Sequence, residues 1–223
     1  MCLTVCLPDA GGQGEVFIIG KEQNMNLFAN THNQLLQMKR YRKFVFIHIN
    51  KTGGMSIGKA LGLGKKEHFT ALEHKNRLGD YSWGEMFKFS FVRNPWDKVV
   101  SHYFHRVKTN QTGLGNNRID FKEWVKLTYG EQDPRYFDYP KYFMPQINWL
   151  TDEKGEIMVD FVGRFENLEN DFQLICERIG RNVDLPNVNK SKHREYQYYY
   201  DDATKEIVRG WFEKDIGFFN YSF

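Results

Sequence analysis

Residues 43–56 read KFVFIHINKTGGMS, a strand-like run followed at once by a glycine turn. KFVFIHI (43–49) is a nearly continuous run of β-branched and aromatic side chains. Such a run suits a strand buried on both faces, as in a parallel sheet covered on its two sides. The turn NKTGG follows at once, and a helix is expected to begin near Ser56. Paired glycines let a backbone approach an anion closely, successive N–H groups point into such a turn, and a helix N-terminus adds partial positive charge. Lys51 brings a full charge, and Thr52 and Ser56 bring hydroxyl donors. The loop can cradle a phosphate. It is not the Walker pattern, because G-x-x-x-x-G-K-[ST] does not occur and the lysine precedes the glycines. Read alone, it is also compatible with a plain strand-to-helix turn carrying an exposed lysine.

Outward from this loop, FKFSFV (87–92) is a second strand-like run ending in Arg93, Asn94 and Pro95. Val99, Val100, Tyr103 and Val107 then recur at helical spacing, with Asn94 as N-cap, Pro95 at the first helical position and Asp97 adding negative charge to the first turn. The motif FVRNPWDKVVS (91–101) thus puts a cation at a strand's C-terminal end and the Ser101 hydroxyl on the next helix. Ligands of open α/β sheets gather outside the carboxyl ends of the strands. Two anion-ready loops at one sheet edge suggest a ligand with two separated phosphate groups, although Arg93 by itself could equally pair with Asp97.

Asp120 and Glu123 read as a capping box before a short helix containing Phe121, Trp124 and Val125. A third apolar run, residues 157–165, precedes a helix marked by Leu168, Phe172, Ile175, Cys176 and Ile179 and stopped at Gly180. Ile207, Val208, Trp211 and Phe212 repeat the helical pattern across residues 203–214. Strands alternating with helices predict an α/β fold: one domain over residues 41–223 with a mainly parallel central sheet flanked by helices. Residues 1–40 are the least patterned and carry no functional expectation. The tyrosine cluster at 196–200 is expected to pack.

The chain has 223 residues, a net charge of +3 and three cysteines, Cys2, Cys6 and Cys176. That charge is too mild to imply nucleic-acid binding, and the cysteines are too few and too scattered for a disulfide framework or a zinc cluster. Reduced thiols and a cytoplasmic location are expected. No window approaches the ~20 apolar residues of a membrane span.

Together, IHINKTGGMSI and FVRNPWDKVVSHY resemble the 5'-phosphosulfate loop and the 3'-phosphate motif of sulfotransferases that use 3'-phosphoadenosine 5'-phosphosulfate (PAPS), of the carbohydrate and heparan 2-O type. The resemblance continues through PQINWL (145–150), DFVGRFENL (160–168) and NKS (189–191), covering about residues 43–223. It implies a P-loop-like sulfotransferase architecture and the transfer of a sulfuryl group from PAPS to a hydroxyl or amine of a glycan or small-molecule acceptor. Lys51, Thr52, Gly53, Gly54, Met55 and Ser56 would hold the 5'-phosphosulfate. Arg93 and Ser101 would hold the 3'-phosphate, and a late loop with Asn189, Lys190 and Ser191 could fold over the nucleotide. The chain departs from the family where proline is usual at Asn50 and threonine at Met55, which puts one hydroxyl contact in doubt and leaves the Met55 N–H.

Attack on sulfur requires a base near neutral pKa. The resemblance gives His68 that role, with His74 in reserve, and Lys51 that of stabilising the departing phosphate. His48 is expected in the core or behind the site, His102 and His105 to be solvated or to make a minor cofactor contact, and His32 and His193 carry no argument. No metal is expected. Acceptor contacts fall to the loops at 109–119 and 130–142, where Tyr136, Phe137, Tyr139, Tyr142 and Phe143 either line a pocket or simply pack. The rival readings are a nucleotide-dependent phosphotransferase and a non-catalytic nucleotide-binding module. A monomer and a homodimer are both compatible with the sequence.

Overall fold

The first two runs form parallel strands, β1 (Phe44–Ile47) and β2 (Phe87–Val92), and a third, β3 (Phe161–Arg164), adds on the far side of β2 to give the order β1-β2-β3. Phe44 pairs with Phe87 and Ile47 with Ser90, while Phe89 pairs with Phe161 and Val92 with Arg164. This computed structural model describes residues 44–64, 67–186 and 194–223. The expected N-terminal extension and the late-loop residues Asn189, Lys190 and Ser191, with His32 and His193, lie outside the described residues.

The near-continuous apolar character of β1 is explained by burial on both sides. Val45 and Ile47 turn to one face, where they pack with Ala71, Trp83, Trp149, Leu150 and Phe219. Phe44 and Phe46 turn to the other and meet Ile57, Phe89, Phe91, Phe172 and Ile175. Each such side chain contributes roughly 1.5–3 kcal/mol on burial. The first face is covered by helices α2 (Ala71–Leu78), α3 (Asp80–Glu85) and α9 (Glu213–Phe219), the second by α1 (Gly54–Ala60) and α7 (Leu168–Ile179).

A third, aromatic core joins α4 (Pro95–Lys108) to α5 (Phe121–Val125), α6 (Pro140–Phe143) and α8 (Asp202–Trp211). Trp96, Tyr103, Trp124, Tyr129, Phe143 and Phe212 are buried in it. Tyr196, Tyr199 and Tyr200 pack against it, as expected of the tyrosine cluster, while Tyr198 is 72% exposed.

The helix signals act as read, with two differences of extent. Asn94 caps α4 by accepting from the N–H groups of Trp96 and Asp97, with Pro95 in the first turn. Asp120 accepts from the N–H of Glu123, the forward half of the expected box. Gly180, at φ 66°, ends α7. The apolar run 157–165, however, enters the sheet only at Phe161: Ile157 is 38% exposed and makes an isolated antiparallel bridge to Thr151. The pattern at 203–214 is two helices, because Phe212 leaves helical geometry (φ −105°, ψ 24°) as it enters the aromatic core, and α9 begins after it. Among the described residues no helix is long and apolar enough to cross a membrane.

Candidate active site

The loop after β1 turns sharply. Lys51 has φ 67° and Gly53 φ 84°, both in the left-handed region, which costs a non-glycine residue on the order of 1–3 kcal/mol. Gly54 must be glycine for another reason: a Cβ there would lie 2.1 Å from the His48 ring. Helix α1 therefore starts directly against His48. Met55 and Ser56, in its first turn, border the same cleft as Lys51.

The second loop is tied to the first. Arg93 donates from Nη1 to the Lys51 carbonyl at 3.2 Å and from Nε to Asp97 at 2.8 Å, and its guanidinium lies 4.0 Å from the centre of the Phe165 ring. Arg93 pairs with Asp97, and it also walls the cleft. Its backbone is held by a residue to which sequence reasoning gave no role. Gln146 accepts from the Arg93 N–H at 2.9 Å and donates to the Arg93 carbonyl at 2.8 Å. Glu166 likewise accepts from the N–H of Asn94 at 2.5 Å and from the Tyr221 hydroxyl at 3.2 Å.

His68 reaches the same cleft from the segment before α2. Its Nδ1 lies 3.0 Å from the His48 carbonyl. A carbonyl oxygen only accepts, so Nδ1 carries the proton in this contact and Nε2 is the basic nitrogen. The ring is 4.4 Å from that of His48 and meets Tyr142 edge-on at 5.4 Å. Tyr142 in turn stacks on the exposed Tyr139 at 5.5 Å, whereas Phe137 and Phe143 belong to the aromatic core. The aromatic loop therefore divides between packing and lining.

The cleft has a volume of about 740 Å³, inside the ~300–1,000 Å³ of small-molecule sites. Lys51, Gly53, Gly54, Met55, Ser56, His68, Arg93 and Ser101 all border it, with His48, His102 and His105 between them. Thr52 does not: it is 0% exposed and its hydroxyl donates to the Ile49 carbonyl at 3.0 Å, so its role is to close the turn. His74 is also outside the lining; it packs edge-on against Phe69 at 5.6 Å, and burial pulls its imidazole below the usual value. His102 is not solvated, being 4% exposed. Among the described residues no group of three or more His, Cys, Asp or Glu could hold a metal ion.

The donor set is that of an anion site: Lys51 and Arg93 at the ends of two strands and the hydroxyls of Ser56 and Ser101 on the helices that follow, against a glycine turn. Of the carboxylates at the wall, Glu166 is already engaged by Asn94 and Tyr221. These residues fit a nucleotide with two separated phosphate groups.

Residues 33–222 match the model of the Sulfotransferase family. An uncharacterized protein of Archaeoglobus fulgidus is 32% identical over 106 residues, 48% of this chain and 78% of that protein. Carbohydrate sulfotransferase 14 of Danio rerio is 28% identical over 159 residues, 61% of this chain but 38% of the zebrafish protein, so the match spans well under half of that relative. No solved structure matches the chain.

Proposed function

This chain belongs to the sulfotransferase family, and from that premise we propose that it transfers a sulfuryl group from PAPS to an acceptor hydroxyl or amine, with His68 as general base. The observation that carries the reading is the bond from Arg93 Nη1 to the Lys51 carbonyl, which unites two anion-binding loops in one cleft with His68 on its wall. PAPS supplies, when bound, a sulfuryl group already activated by its bond to phosphate.

Lys51 and the N–H groups of the glycine turn bind the 5' side and stabilise negative charge as it grows there. Arg93 and Ser101 bind the 3'-phosphate and so orient the nucleotide. His68, held by the His48 carbonyl, takes the acceptor proton at Nε2. Positioning and electrostatics supply most of the catalysis, as in phosphoryl transfer. The printed name of the zebrafish relative supports a sugar hydroxyl as the first acceptor to try.

The test is incubation with PAPS and a panel of sugar, phenol and amine acceptors, reading release of 3'-phosphoadenosine 5'-phosphate (PAP) and mass gain on the acceptor. Acceptor-dependent PAP release that is lost in His68→Ala is expected. PAP binding without sulfation of any acceptor would favour the non-catalytic reading, and turnover of ATP in place of PAPS would favour a phosphotransferase.

A further inference from the structure

His102, one residue beyond Ser101 on α4, borders the cleft although it is 4% exposed. Its Nδ1 is sealed from solvent and has no hydrogen-bond partner. Buried polar atoms are nearly always paired, so an orphan in a cleft wall calls for an explanation.

The surroundings of the ring fix its state. Phe143 of α6 lies 4.9 Å away and Trp124 of α5 meets it edge-on at 5.9 Å, so two sides are apolar. The charged groups acting on it, in decreasing order, are Lys98 and Arg106 of its own helix and Lys51 of the glycine turn, all cationic, and last His105. Asp138 is committed to Arg106 at 2.9 Å and Asp215 to the backbone N–H groups of Gln146 and Ile147. Burial among cations keeps the imidazole neutral. A neutral ring has one N–H. A sealed N–H facing cations would be doubly unfavourable, whereas a lone pair there is favoured, so Nδ1 holds the lone pair and Nε2 the proton. Nε2 is the nitrogen left to meet the cleft.

We propose that His102 is a further nucleotide-binding residue, its Nε2–H donating to a phosphate oxygen of the bound donor. This rests on the PAPS reading above. Ser101 and His102 both border the cleft, and the charge of Lys51 acts on the His102 ring. The helix carries this donor at the cost of an orphan Nδ1, a cost that packing alone would remove by placing phenylalanine at the position.

The two roles separate in one experiment: calorimetric titration of PAP into wild type, His102→Phe and His102→Gln, with thermal melting of each unliganded protein. Phenylalanine keeps the aromatic volume and removes the orphan, so it should melt no lower than wild type. It should nevertheless bind PAP at least about tenfold more weakly, because a donor to a charged oxygen is gone. Glutamine, which returns an N–H near the position of Nε2, should bind within about threefold of wild type. PAP affinity within about twofold of wild type in His102→Phe would overturn the proposal and leave the PAPS reading intact. Equal weakness of both variants would also overturn it, since the missing donor would not be the cause. No PAP binding by folded wild type would remove the PAPS reading and this proposal together.

Discussion

The carboxylate of Asp215 accepts from the backbone N–H of Gln146 at 2.7 Å and from its side-chain amide at 3.2 Å, so a helix near the C-terminal end of the chain orients the amide that grips Arg93. Its other oxygen takes the N–H of Ile147 at 2.9 Å. Lys98 supplies the opposite charge nearby, and burial pulls its ammonium down to about 8 despite Asp215. Both side chains are almost wholly buried.

Asp215→Ala strands these N–H groups and leaves Lys98 without its counter-charge. Leaving buried donors unsatisfied costs about 1–3 kcal/mol. Urea denaturation should read a loss of that order, and PAP should bind more weakly because Arg93 is no longer fixed. A loss under about 1 kcal/mol would contradict the network.

Arg93→Lys keeps one positive charge but cannot bond the Lys51 carbonyl and Asp97 at once or stack on Phe165. Affinity for PAP should fall at least about tenfold, the worth of one charge-assisted hydrogen bond. Unchanged affinity would separate Arg93 from the nucleotide.

His68→Asn keeps a donor near the position of Nδ1, toward the His48 carbonyl, and removes the base. With PAPS and a working acceptor, kcat should drop about 10²- to 10⁴-fold while PAP affinity stays within about threefold. A wild-type rate would move the proton to another group.

The site was legible in the sequence where chemistry and local geometry coincide. KTGG after an apolar run, and Arg93 at the end of the next, each carry their own signal, and the structure brings both to one cleft. Helices α2 and α3 were not read, although Thr70 and Glu73 form a complete capping box with the S/T-x-x-E spacing. Two kinds of fact were out of reach. The inward turn of the Thr52 hydroxyl depends on a carbonyl three residues back, which no residue type announces. The pairing of Gln146 with Asp215 joins positions 69 apart whose meeting is set by the break at Phe212, itself a matter of packing in the aromatic core.

Acid should weaken the fold through histidine. Burial holds His102 well below, and His74 below, the ordinary imidazole value of 6.5. Below that pH the unfolded chain binds protons that the folded one refuses, so the stability present above about 6.5 is lost as pH falls. Asp215, raised by burial, has the opposite sign, its contribution declining as pH rises above 3.8. Comparison of wild type with His102→Phe cancels it. Urea midpoints between about pH 7.5 and 5.5 should fall less steeply in the variant, and equal slopes would mean that His102 is not held neutral.

Every role proposed above requires that this cleft hold the sulfuryl donor. The decisive measurement is calorimetric titration of PAP into the metal-free protein, with ATP as control. One PAP site is expected, with affinity for ATP at least about tenfold weaker and PAP binding weakened by a similar factor in Arg93→Ala. A folded protein that does not bind PAP, or that binds ATP as well, would contradict a donor site here.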